Sequence, residues 1–86
     1  MLKIKDNFML REVDGNSVVV SIDSSFNGLI TLNETGTFLW NLLVDGTDED
    51  SMVAAMLKEY EVVEDVAKAD VREFIEAARK AGALDE

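Results

Sequence analysis

Between Gly28 and Gly46 the chain changes its hydrophobic period, and that change limits the folds open to it. Leu29-Ile30-Thr31-Leu32 is a short apolar run with β-branched residues, while Thr35, Phe38, Leu39, Leu42 and Leu43 recur at spacings of three and four. The period shifts from two to 3.6 at Asn33. Residues before Asn33 read as strand and turn, and residues after it as helix. A junction between the β part and the α part of a small domain is a natural place for a site.

On the β side, residues 8–13, Phe-Met-Leu-Arg-Glu-Val, predict a first strand. Asp14-Gly15-Asn16 predicts the hairpin turn, because Asp-Gly between apolar runs tolerates positive φ at both central positions. Val18-Val19-Val20-Ser21-Ile22 predicts a second strand by its β-branched density. Asp23–Gly28 reads as a turn rich in residues that satisfy their own backbone, and Leu29–Leu32 as a third strand. Three short strands form a small antiparallel sheet that needs a helical layer on one face.

On the α side, Asn33 is a good N-cap and Glu34 complements the helix dipole in the first turn. Gly36 inside this helix costs ~1 kcal/mol relative to Ala, which fits either close packing against the backbone there or no reason visible in the sequence. Gly46 ends the helix as a C′ residue. Thr47 is expected to cap a second helix, with Asp50 at the third position of a near capping box and Met52, Val53, Met56, Leu57 and Tyr60 on one apolar face. After the extended link Glu61-Val62-Val63, a third helix starts at Glu64-Asp65, closes with Arg79 and Lys80, and stops at Gly82. At ~100° per residue, Ala67, Val71, Phe74, Ala78 and Ala81 share one of its faces. Ile75 widens that face on one side, and Asp70 and Ala77 on the other. The arc is wider than the ~100° stripe a docked helix usually buries. It fits either a well-buried helix or a helix with part of its arc lining an open groove.

The 86 residues are expected to form one domain, 1–86, of the α+β class in the order β-β-β-α-α-α. Cysteine and histidine are both absent, which removes thiol chemistry, the usual zinc ligands and any histidine to activate Ser24, Ser25 or Ser51. Eighteen acidic residues face eight basic ones, for a net charge of −10. The basic residues are spread along the chain, so a nucleic acid partner is not expected. No run of ~20 apolar residues predicts a membrane span, and the N-terminus lacks the apolar centre of a signal peptide. These features suit a cytoplasmic protein. None of the carboxylates is marked as a catalytic acid or base, and Asp45–Asp50 lacks the glycine and glutamate of a calcium loop. No enzyme activity, metal or cofactor is therefore expected. Asp50-Ser51-Met52 resembles the attachment site of an acyl or peptidyl carrier protein, where the serine bears phosphopantetheine, although such carriers are helical where this chain reads as strands. Strands with three helices also suggest a winged helix-turn-helix, but the second helix carries only Lys58 and makes a poor DNA reader.

The run Asn27–Gly46 resembles the Leu-Asn-x-Thr-Gly-x-x-(Ile/Leu)-Trp-x-Leu-(Leu/Ile)-x-x-Gly pattern of the PqqD-like family, named for pyrroloquinoline quinone biosynthesis protein D. Arg11-Glu12-Val13, the acidic Thr47–Tyr60 helix and Asp70-Val71…Phe74-Ile75…Gly82 extend the likeness over nearly the whole chain. The resemblance implies a winged helix-turn-helix-like fold and a non-catalytic recognition element for ribosomally synthesised natural products. Such an element binds the leader of a precursor peptide. It presents the leader to a modifying enzyme, such as a radical S-adenosylmethionine protein or a leader peptidase. The leader is expected to add as a strand beside the third strand, at Asn27, Gly28, Leu29, Ile30, Thr31 and Leu32. It is expected to lie against Ala67, Asp70, Val71, Phe74, Ile75 and Ala78 of the third helix. The chain is expected to stand alone rather than fused to an enzyme, and its oligomeric state is left open. The carrier protein, with Ser51 modified, and a structural interaction module are the alternatives.

Overall fold

The computed structural model describes residues 1–21 and 30–85. Its elements run β1 (Lys3–Ile4), β2 (Phe8–Val13), β3 (Asn16–Ser21), β4 (Ile30–Leu32), α1 (Glu34–Asp45), α2 (Glu49–Glu59), α3 (Glu64–Lys80) and β5 (Leu84–Asp85). Strands β2, β3 and β4 form an antiparallel sheet in that order, followed by the three helices. This is the expected α+β arrangement of three strands and then three helices, and it is winged helix-turn-helix-like. The expected turn at Asp23–Gly28, the end of the second strand at Ile22, and Leu29 lie outside the described residues.

Asp14 and Gly15 form a two-residue hairpin loop with φ of 51° and 81°, the backbone that matches the twist of the flanking strands. Because the loop is only two residues long, Asn16 pairs with Val13 and belongs to β3 rather than to the turn. Two further strands are too short to show a period. β1 pairs antiparallel with β5, and Leu2 and Thr47 exchange backbone hydrogen bonds of 2.6 and 2.8 Å. This clasp explains a correction at the second helix. Thr47 is held by Leu2, and the cap falls to Asp48, whose side chain accepts from the Ser51 N–H at 2.8 Å.

The first helix starts as expected. Asn33 Oδ1 accepts from the Gly36 N–H at 2.7 Å, and the Asn33 carbonyl accepts from the Thr37 N–H and hydroxyl. A Cβ at Gly36 would lie 3.1 Å from that Oδ1 and 3.4 Å from two carbons of the Leu32 side chain. The glycine therefore lets the capping side chain and the last residue of β4 close onto the helix. Gly46, with φ of 93°, ends α1.

The core lies between the sheet and the helices. Val19 of β3, Leu39, Trp40 and Leu43 of α1, Met52 and Met56 of α2, and Ala67, Val71, Ile75 and Ala78 of α3 are all buried in it. Phe38 and Tyr60 meet edge to face beside it, with ring centroids 5.5 Å apart, a favoured aromatic geometry.

Replacing Asn33 with alanine removes the cap of α1 and is expected to cost about 1 kcal/mol in urea denaturation. Acid should act on the cap of α2. The Asp48 carboxyl lies below its ordinary value of 3.8 because the Ser51 N–H, and secondarily the Ser51 hydroxyl, bond to its charged form. A depressed folded-state value adds stability above the unfolded value and loses it as pH falls through the folded one. The wild type is therefore expected to exceed Asp48→Asn in stability near neutral pH, with the margin closing as the pH drops below 3.8.

Candidate functional site

Among the described residues β4 pairs with β3 alone, so its other side is a free edge. Two cavities lie against α3, the first facing the start of α1 and the second facing β4. The first, of about 280 Å³, is bounded by Asn33, Thr35, Gly36 and Leu39 on one side and by Asp70, Glu73, Phe74 and Ala77 on the other. The second, of about 220 Å³, is bounded by Thr31, Leu32, Trp40, Phe74, Ala77, Ala78 and Ala83. Phe74 and Ala77 line both, so the cavities are neighbours separated by a half-buried phenyl ring.

The helical period sets this arrangement. Ala67, Val71, Ile75 and Ala78 recur at four, four and three residues and are buried. Asp70, Glu73, Phe74 and Ala77 recur at three, one and three, which turns them to one neighbouring side of the helix. Both readings of the wide arc are therefore realised on one helix: one side enters the core and the adjoining side faces open space.

The expected site residues divide accordingly. Thr31 and Leu32 of β4 and Asp70, Phe74 and Ala78 of α3 are brought together around the cavities. Ile30 lies in β4, its backbone opposite Val19. Ala67, Val71 and Ile75 are at most 4% exposed. They line neither cavity, because the turn of the helix points them at the core. Asn27, Gly28 and Leu29 lie outside the described residues. Eight cavity residues lie outside the expected site: Asn33, Thr35, Gly36, Leu39, Trp40, Glu73, Ala77 and Ala83. The place of Ala77 on the arc pointed to it, Asn33 reads from the sequence as a helix cap, and the position of Ala83 depends on the β1–β5 clasp. Trp40 is 3% exposed and lines the second cavity from the core.

Ser51 sits exposed in the first turn of α2, with its N–H engaged in the cap. Strands β2 to β4 occupy the part of the chain where a carrier protein would be helical. Among the described residues no group of three or more acidic side chains is arranged to hold a metal ion, and no helix is long and apolar enough to cross a membrane.

Truncating Phe74 to alanine is expected to merge the two cavities. The cost should be about 1–2 kcal/mol in urea denaturation, less than the ~3–5 kcal/mol of a fully buried phenylalanine. A larger loss would place this ring in the core rather than in the cavity wall.

A family model described as coenzyme PQQ synthesis protein D (PqqD) matches residues 11–84. Among solved structures, the chain is similar to TbiB1 in complex with the TbiA(beta) leader peptide, at 25% identity and a TM-score of 0.80, over 96% of this chain and 94% of that one. It also shares the fold of a lasso peptide synthetase B1 complexed with the leader peptide, at 19% identity and a TM-score of 0.80, over 99% of this chain and 98% of that one. No functionally curated protein matches it.

Proposed function

We propose that this chain, which belongs to the PqqD family, is a non-catalytic recognition element that binds the leader of a ribosomally synthesised precursor peptide. The observation that carries this reading is the edge strand β4 beside a cavity it shares with α3, which adjoins a second cavity between α3 and the start of α1. Strand addition needs a free sheet edge for backbone hydrogen bonds and neighbouring pockets for alternate side chains, and this place supplies both. The similarity to TbiB1, whose structure holds a leader peptide, supports the same occupant.

The leader is read as extending the sheet beside Ile30, Thr31 and Leu32, continuing toward Asn27, Gly28 and Leu29. Its helix-facing side chains would meet Asp70, Phe74, Ala77 and Ala78, with Ala67, Val71 and Ile75 supporting the wall from behind. Only three described residues form β4. Backbone bonds alone, at ~0.5–1.5 kcal/mol each, would then barely offset the cost of association and of ordering the leader. Side chains in the cavities have to supply the remainder. Binding of this kind is reversible enough for the leader to be handed to a modifying enzyme, such as a radical S-adenosylmethionine protein or a leader peptidase, in the cytoplasm where the precursor is made.

Isothermal titration with the leader of a small precursor encoded beside this protein tests the reading. Ala77→Trp places a large side chain in the space shared by both cavities, at an exposed position outside the core. It is expected to weaken binding at least tenfold while leaving the fold intact by circular dichroism. Unchanged affinity in the folded variant, or amide shifts clustered away from residues 30–36 and 70–83, would reject the groove as the site.

A further inference from the structure

The two cavities differ in chemistry, and the difference carries information about the peptide. The second is walled by Leu32, Trp40, Phe74 and three alanines, with Thr31 at its margin. The first is rimmed by the carboxylates of Asp70 and Glu73. Neither carboxylate has an ion-pair or hydrogen-bond partner among the described residues, whereas other acidic groups near them are matched. Lys68 pairs with Glu64, Arg72 with Glu49, and Arg79 with Glu76. Three of the four cations of α3 are thus engaged by other carboxylates, and the groove side of the helix is left negative. A solvated acidic face alone would call for no ligand. Here the two carboxylates stand over an open cavity that adjoins an apolar one through a single ring.

Resting on the leader-binding reading, we infer that the groove selects a leader with a lysine or arginine two residues before an apolar residue, the cation in the first cavity and the apolar side chain in the second. Charge complementarity chooses the cation. Its reach chooses a long one, because an aliphatic stem can lie along Phe74 while the charged head meets Asp70 and Glu73. The spacing comes from the strand. The two cavities adjoin, sharing Phe74 and Ala77, so they take neighbouring side chains from one face of an extended peptide. Successive side chains of a strand point to opposite faces, and the nearest pair on one face is two residues apart. The order comes from the sheet. Its pairings are all antiparallel, and a peptide that continues the pattern beside β4 runs its N-terminal side past Asn33 and the first cavity.

A displayed library of random ten-residue peptides, selected on the wild-type chain and on D70N/E73Q, decides this. A second variant, E59Q/E61Q, removes the same charge at residues that line neither cavity. The expected result is enrichment of Lys/Arg-x-apolar sequences on the wild type and on E59Q/E61Q, with the basic preference lost and the apolar preference kept on D70N/E73Q. For a selected peptide made synthetically, replacing its cation with alanine should weaken binding about fivefold, and less at high salt. Apolar enrichment without a basic preference, or a basic preference that survives in D70N/E73Q, would overturn the inference and leave the leader-binding reading standing. Selected peptides that bind Ala77→Trp as tightly as the wild type would overturn both.

Discussion

One hydrogen bond sets the joint at which the sheet passes into the helices. The Gly36 N–H donates to Asn33 Oδ1 at 2.7 Å, so the chain leaves β4 and enters α1 at a set angle. The approach is close enough that a methyl group at position 36 would press on Asn33 and Leu32 together. Glycine's helix penalty of ~1 kcal/mol is thereby exchanged for a satisfied helix start and a packed joint. The same joint forms one bank of the groove: Asn33 and Gly36 face the first cavity and Leu32 faces the second. A residue that punctuates the helix is therefore also a residue that shapes the cavity.

A second constraint acts from the far side of the domain. The β1–β5 pair and the Leu2–Thr47 bridge draw the two ends of the described chain and the α1–α2 connection together. After α3, the Ala83 N–H donates to the Ala78 carbonyl and the Ala83 carbonyl accepts from the Lys5 N–H. This fixes Ala83, fully buried, at the wall of the apolar cavity. The groove is thus built between two anchored structures, the capped start of α1 and the clasped end of α3, and its shape does not depend on β4 alone.

The fold was legible where the pattern was long enough to have a period. The hairpin came from Asp14-Gly15, the first helix from Asn33 and its 3–4 spacing, and the third helix from a wheel that stays consistent from Ala67 to Ala81. Features carried by long-range partners were not legible. β1 and β5 have two residues each, too few for any alternation to register. The cap of α2 moved from Thr47 to Asp48 because of Leu2, a residue distant in sequence whose influence no local rule contains. The site shows the same division. The arc of α3 identified Asp70, Phe74 and Ala78 as candidates, yet periodicity alone could not separate them from Ala67, Val71 and Ile75. Which side of a wide arc is covered depends on what packs against it, and that is a tertiary fact.

The separation of those two sides has a consequence for how such a groove can change. Ala67, Val71, Ile75 and Ala78 are held by close packing in the core, where a difference of even one methylene is felt. Asp70, Glu73 and Ala77 border open space, where substitution costs the fold little. Phe74 stands between the two regimes, packed against the core on one side and parting the cavities on the other. In the proposed binding mode, backbone pairing at β4 would read no sequence, and discrimination between peptides would fall to the positions on α3 that the core leaves unconstrained. On that proposal, a helix divided in this way would keep its packing on the core while its preference for a ligand side chain was rewritten at Asp70, Glu73 and Ala77.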